Sequence, residues 1–447
     1  MIKTALTVFL CLIATPGLGV GESGFHLHVD VTKLQNGLTL LTCVDSSAST
    51  VSYQTFINAG SRDETKPGAT GLAHVFEHMM FRGTSKYPDF DAAVSFMGPE
   101  TNGYTTDDYT CYFVNAKPEF IEKIIEVESD RVQNLSFSQE AFRRELGPVK
   151  EERRRGVDDD PGGFLYQELY KLAFTRHTYR HPVIGWEEDL EKNMTYEDAH
   201  EFKKTFYAPN YCTIVISGRF DPNLASELVL RHYGAWQPSL PPVSQVSAEP
   251  EQRAAKRKDF RWKDRHVPPR LLLGYRGPDL NYDTPDFVAL KVLSNVLFSK
   301  TGRLYKKLHV DSDLVERIGG EVDGHKDPGL FVIDASLRDD VGFDSILAVI
   351  RSELTSLATT ELSPSELELA VNPMKADYLF RLDRPSRIGG QIGYYHLVGG
   401  DHKMIFEHYE TLSSITPSDI RAAAAKYLTE NASTAVTLSP AGLQEGR

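Results

Sequence analysis

From Leu34 the chain alternates apolar and polar positions through "LQNGLTLLTCVD" and again through "VSYQTFINAG", with Asn36-Gly37 and Ser46 to Ser49 as turn signals. Two adjacent β-strands are expected there. The period then changes, because "GLAHVFEHMMFRGT", Gly71 to Thr84, spaces its apolar residues as a buried or half-buried helix. A second hairpin is expected in "TNGYTTDDYTCYFVNA", rich in Thr, Tyr and Val around an Asp107-Asp108 turn. Helical stretches occupy 118–133, 138–155 and 164–174, and "YCTIVISG" then reads as a strand.

Between Trp236 and Trp262 the periodicity lapses into "QPSLPPVSQVSAEPEQRAAKRKDF", whose Pro, Ser and charge are those of an interdomain linker. After it the order repeats: a strand "RLLLGYRGP", a long helix from Thr284 to Phe298, a short helix around Gly302 to Leu308, a strand "GLFVIDASL", and helices to the C-terminus. The expected class is α+β, with two domains of similar architecture at 26–238 and 263–441 and a linker at 239–262. A chain of 447 residues is long enough for two such cores.

The N-terminus changes the picture of where the protein works. Lys3, an apolar run from Ala5 to Ala14 and the small-residue stretch "TPGLGVGES" are built like a cleaved secretory signal, assigned to 1–22 with the mature start between Gly19 and Gly24. The expected address is secreted, periplasmic. Its apolar core falls short of the roughly 20 residues that span a bilayer, and Cys11 follows Leu10 rather than the small residue that precedes a lipidated cysteine, so no stable membrane anchor is expected. The remaining Cys43, Cys111 and Cys212 are odd in number, show no CxxC spacing and read as buried thiols. The net charge of −13 offers no broad cationic face, so nucleic acid is not an expected partner. The one dense basic cluster, Arg153 to Arg155, is read as a solvated helix end.

The chemistry concentrates in the helix at Gly71 to Thr84. His74 and His78 are one turn apart and can present two imidazole nitrogens to one zinc ion, while Glu77 projects beside them as a candidate general base. H-x-x-E-H is the inverted zincin spacing. A catalytic zinc takes a third protein ligand, for which "RRELGPVKEERRRG" is the best donor. Glu145 and Glu152 are two turns apart and share one helix face, whereas Glu151 is rotated about 100° away, so Glu152 is the ligand candidate and Glu145 the carboxylate beside it. Gly147-Pro148 falls inside that helix, and a kink or restart at Pro148 is expected.

Taken in order, "GLAHVFEHMMFRGT", "TNGYTTDDYT", "VKEERRRGVDDDPGG", "HPVIGW" and "YAPNYCTIVISG" resemble the pitrilysin-type inverted zincins, which include mitochondrial processing peptidase and insulin-degrading enzyme. The likeness covers nearly the whole mature chain. It implies two domains that each carry a mostly antiparallel sheet covered by helices, and a zinc-dependent metalloendopeptidase that cuts extended peptides in a closable chamber. It implies His74, His78 and Glu152 as zinc ligands, Glu77 as base and Glu145 as a supporting carboxylate. Asn102, Gly103, Tyr104 and Thr105 are implied as an edge strand to which a peptide substrate adds. Half-sized chains of this kind work as homodimers or heterodimers with a related subunit, an Arg and a Tyr of one chain reaching the zinc site of the other. Arg387 and Tyr394 in "RPSRIGGQIGYY" fit that pattern, with Arg384 and Tyr395 as near competitors and Gly389-Gly390 weakening the helix between them. Relatives without zinc supply the alternative, a non-catalytic peptide-binding or scaffold subunit.

Overall fold

The computed structural model describes residues 27–242 and 245–441, so the signal-like segment 1–22, with Cys11, lies outside the described residues. The first half contributes β1 (Asp30–Lys33), β2 (Thr39–Val44), β3 (Val51–Ile57), β4 (Glu100–Thr105), β5 (Thr110–Ala116) and β6 (Cys212–Gly218), in the sheet order β1-β2-β6-β3-β5-β4. The second contributes β7 (Lys256–Arg261), β8 (Arg270–Arg276), β9 (Val315–Val322), β10 (Leu330–Leu337) and β11 (Ser433–Ser439), in the order β7-β11-β8-β10-β9. Numbered within its own half, β1 aside, each sheet follows the same permutation, first, fifth, second, fourth, third. One pair in each is parallel, β2 with β6 and β7 with β11, and the others are antiparallel. The α+β class and the repeat are therefore both present. The histidine helix, Leu72–Met79, lies between β3 and β4, and its counterpart Asp286–Phe298, which has no histidine, lies between β8 and β9.

Three sequence expectations change. β2 and β3 are not neighbours, because β6 inserts between them and pairs with both. A local alternation pattern specifies strands but not their partners. The tail of the expected linker, 256–261, is the edge strand β7; its sequence KRKDFR keeps charge on an exposed border, which hides the strand from hydropathy and protects it from edge pairing. The chain also ends its described part in a strand, β11, rather than in helices, and that strand closes the second sheet between β7 and β8.

The two halves exchange helices. Pro161–Ala173, from the first half, buries Leu165, Leu169 and Ala173 against Trp262, Leu272, Val332, Val436 and Leu438 of the second sheet and its approach. Pro385–Tyr394, from the second half, lies on β3 and β6, where Ser217 Oγ donates to Pro385 C=O and Gln54 Nε2 to Ser386 C=O, both at 2.7 Å. The helix-weakening glycines are what allow this contact: a Cβ at Gly389 would stand 2.7 Å from Ser217 Oγ, and one at Gly393 would overlap the Phe56 ring. Cys43, Cys111 and Cys212 are buried and unpaired. Among the described residues no helix is long and apolar enough to cross a membrane.

Candidate metal centre

The histidine helix begins at Gly71, whose φ of 93° places it in the left-handed region and whose position 2.6 Å from Ile184 C=O, measured to an added Cβ, leaves no room for a side chain. Its first N–H groups are taken by Glu64, which accepts from Gly71 at 2.6 Å and Ala73 at 2.7 Å. A carboxylate at that end suits the helix dipole. Leu72, Ala73, Val75, Phe76 and Met79 fill the core, which leaves His74, Glu77 and His78 on the remaining face. The two imidazole rings are 4.9 Å apart, centre to centre.

The acidic helix spans Gln139–Arg153 without restarting at Pro148. The proline lacks the N–H that would reach Arg144, but Phe142, Leu146 and Val149 are buried on either side of it and pin the helix across the gap. Glu145 and Glu152 consequently keep one face. Glu152 Oε2 stands 3.6 Å from His74 Nε2 and 3.5 Å from His78 Nε2, while Glu145 Oε1 stands 3.6 Å from His78 Nδ1 and Oε2 accepts from Arg82 Nε. Glu151 points outward into ion pairs with Arg154 and Arg155. Arg153 departs from the solvated helix end expected of it: it is buried and donates to Gly185 C=O at 2.7 Å, to Asp158 at 3.0 Å and to Gln167 at 2.9 Å. That arginine thereby ties the acidic helix to "HPVIGW", the segment that also packs on Gly71.

Glu77 leans on the edge strand β4. Thr105 Oγ1 donates to Glu77 Oε2 at 2.7 Å, and a Cβ at Gly103 would lie 3.2 Å from Glu77 Cγ, so these alternate residues form one wall of the site. Gly103 N–H donates to Asn102 Oδ1 at 2.9 Å. Tyr104 faces away, against Tyr109, and lines a separate cavity of about 830 Å³ together with Arg387 and Tyr394. The cavity beside His78, about 540 Å³, is also bordered by Pro148, Glu151, Glu152, Arg155 and Gly156. The structure thus brings together His74, Glu77, His78, Glu145, Glu152, Gly103 and Thr105, and leaves Arg387 and Tyr394 elsewhere in the chain. There Arg387 pairs with Asp383 at 3.3 Å and Tyr394 donates to Gly324 C=O at 2.9 Å. Arg384 occupies the N-cap position of the same helix without a side-chain capping bond, and Tyr395 is buried beside Tyr282.

The donor set fits zinc. A tetrahedral ion about 2.0–2.1 Å from each ligand needs ligand atoms about 3.4 Å apart, and the two Nε2 to Oε2 separations are 3.5 and 3.6 Å, too long for hydrogen bonds. Among the described residues His74, His78 and Glu152 form the one group of three or more His, Cys, Asp or Glu side chains able to hold an ion. Burial pushes His74 down to about 4, so its imidazole is neutral and free to ligate near neutrality. The Glu145 carboxylate beside Nδ1 raises His78 against the effect of burial. Glu145 itself is buried, yet its contacts with His78 and Arg82 hold it below the ordinary glutamate value. Burial raises Glu77, opposed by the Thr105 hydroxyl. Sequence reasoning missed the roles of Glu64 and Arg82 and misassigned Arg153, because their partners come from segments that no helical period relates to them.

Comparison with known proteins identifies the family of this fold. Residues 40–186 match the insulinase (peptidase family M16) model, and residues 193–374 match the peptidase M16 inactive-domain model. The zinc protease PqqE of Helicobacter pylori is 26% identical over 98% of this chain and 99% of its own length. A probable mitochondrial-processing peptidase subunit beta of Arabidopsis thaliana is 26% identical over 89% of this chain and 76% of its own. The crystal structure of a protease from Helicobacter pylori superposes with a TM-score of 0.87 at 25% identity, covering 93% of this chain and all of the other. With two M16 models in tandem and a shared fold over 93% of its length, the chain belongs to peptidase family M16.

Proposed function

We propose that the protein is a zinc-dependent metalloendopeptidase that hydrolyses extended peptides, with His74, His78 and Glu152 as the metal ligands. The observation that carries this reading is the convergence of both imidazole Nε2 atoms on one Glu152 oxygen, with Glu77 alongside. Zinc bound there would supply a Lewis acid that polarises the scissile carbonyl and acidifies the attacking water. Glu77 takes the proton from that water and returns it to the leaving amine, and its raised affinity for protons suits both steps. Thr105 Oγ1 holds the carboxylate from the strand side. Glu145, fixed by Arg82, orients His78 from behind. The peptide adds to β4 as a further strand, its backbone replacing the Asn102 side chain at Gly103 N–H.

The same reading makes the working unit a dimer, with a second copy or a related subunit, because Arg387 and Tyr394 stand in a cavity apart from the histidines of their own chain. Each would donate to the substrate carbonyl or its oxyanion in the partner's site. The signal-like N-terminus makes the address secreted, periplasmic. The deciding experiment is Glu77→Gln with a mixed peptide library read by mass spectrometry, with and without chelator. Zinc content is expected to stay full while turnover falls by about 10² to 10⁴. Cleavage by the variant at the wild-type rate would show that Glu77 is not the base, and cleavage indifferent to chelator would remove the metal from the reaction.

A further inference from the structure

The second half has no metal motif, yet one of its loops grips the turn that ends β4. In the segment between β9 and β10, His325 Nδ1 stands 3.2 Å from Asp108 Oδ2 and the Lys326 N–H donates to the same oxygen at 3.1 Å. Lys326 Nζ donates to Asp108 C=O at 3.0 Å and to Asn58 Oδ1, one residue past β3. On its other oxygen Asp108 accepts the Tyr179 hydroxyl at 2.7 Å, and that hydroxyl accepts the Asp327 N–H at 3.2 Å. Asp327 also takes Arg62 Nε and lies 3.0 Å from His177 Nε2. The same loop accepts Tyr394 OH at Gly324 C=O.

The gripped turn is joined to the catalytic helix by a short strap. Ser61 N–H donates to Thr106 C=O at 3.3 Å and Arg62 N–H to Asp107 C=O at 2.8 Å, and a Cβ on Gly60 would overlap the Asp107 carbonyl. Two residues after Arg62 comes Glu64, which caps the histidine helix. A displacement of the turn is therefore carried to Thr105 on one side and to the start of the histidine helix on the other. As an edge strand, β4 has β5 as its one strand partner, so the contacts at its end bear directly on its position.

We propose that His325 and Asp108 are positioning residues through which the metal-free half fixes β4, Thr105 and Glu77 relative to the histidine helix. This rests on the peptidase reading above. The cluster gathers Asp63, Asp107, Asp108, Asp323 and Asp327 against Arg62 and Lys326, with His325 Nε2 also 3.9 Å from Asp107 and 3.8 Å from Asp323. Burial alone would make the imidazole neutral, but the surrounding carboxylates hold its proton up to about 10, so it is a fixed cation near neutrality. Without that charge the five carboxylates face only Arg62 and Lys326, and their mutual repulsion grows.

The test compares His325→Gln with His325→Lys in the zinc-loaded full chain, by peptide kinetics, zinc content and amide hydrogen exchange. The glutamine variant is expected to keep full zinc, to lose about tenfold in kcat/KM, and to speed exchange of Glu100–Tyr109 about tenfold or more while β11 is unchanged. Lysine, which retains the charge, should return both readouts to within about threefold of wild type. Unchanged β4 exchange in the glutamine variant, equal acceleration in β11, or a lysine variant no better than glutamine overturns the proposal. If His325→Gln does not fold, Tyr179→Phe, which deletes one donor to Asp108, should show the same localised exchange at smaller amplitude, and its absence there is equally fatal. A wild-type chain inert toward peptides would sink the peptidase reading, and the exchange data would still decide the positioning.

Discussion

Gly103→Ala is expected to slow catalysis without removing zinc. Gly103 lies in β4 with no neighbouring side chain of its own to place, and an added methyl would meet Tyr112 Cδ1 at 3.1 Å, Glu77 Cγ at 3.2 Å and Cys111 C=O at 3.4 Å. Carbon atoms settle at about 3.5–4.0 Å, so Glu77 must retreat by roughly half an ångström. Displacement of a catalytic group by about 1 Å costs on the order of 10² in rate, which makes the expected loss about tenfold in kcat, or about 1.4 kcal/mol of barrier. Gly319→Ala supplies the control, since Gly319 lies in the edge strand β9 of the other sheet and its Cβ would meet nothing within 4 Å. That variant should keep full activity and gain up to about 1 kcal/mol of stability from the entropy glycine loses on folding. The assay is steady-state cleavage of a quenched fluorescent peptide alongside metal analysis and urea midpoints for both variants. Wild-type kcat in Gly103→Ala with full zinc would refute the claim that this glycine exists to seat the glutamate.

Other outcomes follow from the same geometry. Glu152→Gln should weaken zinc binding by more than the 10–100-fold typical of a supporting carboxylate such as Glu145, whereas Glu151→Gln should bind normally, as chelator competition will show; loss of zinc in the Glu151 variant alone would mean that the donors are misassigned. Mixing inactive Glu77→Gln chains with inactive Arg387→Ala chains should restore part of the activity, because one of the two mixed sites is intact; a dead mixture in which mixed dimers form would place the arginine's role within one chain or on another arginine. Gly393→Ala should destabilise by about 1–3 kcal/mol despite alanine's better helix propensity, because the methyl overlaps Phe56 where the second-half helix lies on β3; an unchanged urea midpoint would show that the helix can lift without cost.

Much of the site was legible because it is local. The helical period puts His74 and His78 on one face and Glu77 beside them, and seven residues of the same period align Glu145 with Glu152. Buried Phe142, Leu146 and Val149 let that alignment survive Pro148, whose effect a propensity argument overstates. Arg153 was misread for the complementary reason: a run of three arginines looks solvated, and only the approach of Gly185 C=O from a distant segment gives its first member a buried partner.

By itself the sequence determined the alternation of strand and helix in two similar halves, the absence of histidine from the second half's counterpart helix, and the H-x-x-E-H turn with the carboxylates that can face it. These depend on spacing along one element, which the backbone period converts directly into a face. Tertiary structure alone decided that β6 separates β2 from β3, that each half lends a helix to the other's sheet, that Thr105 and Gly103 wall Glu77, and that His325 reaches Asp108. Those contacts join residues tens to hundreds of positions apart, and no periodicity encodes them, because which surfaces meet is fixed only when the buried faces of all the elements are satisfied together.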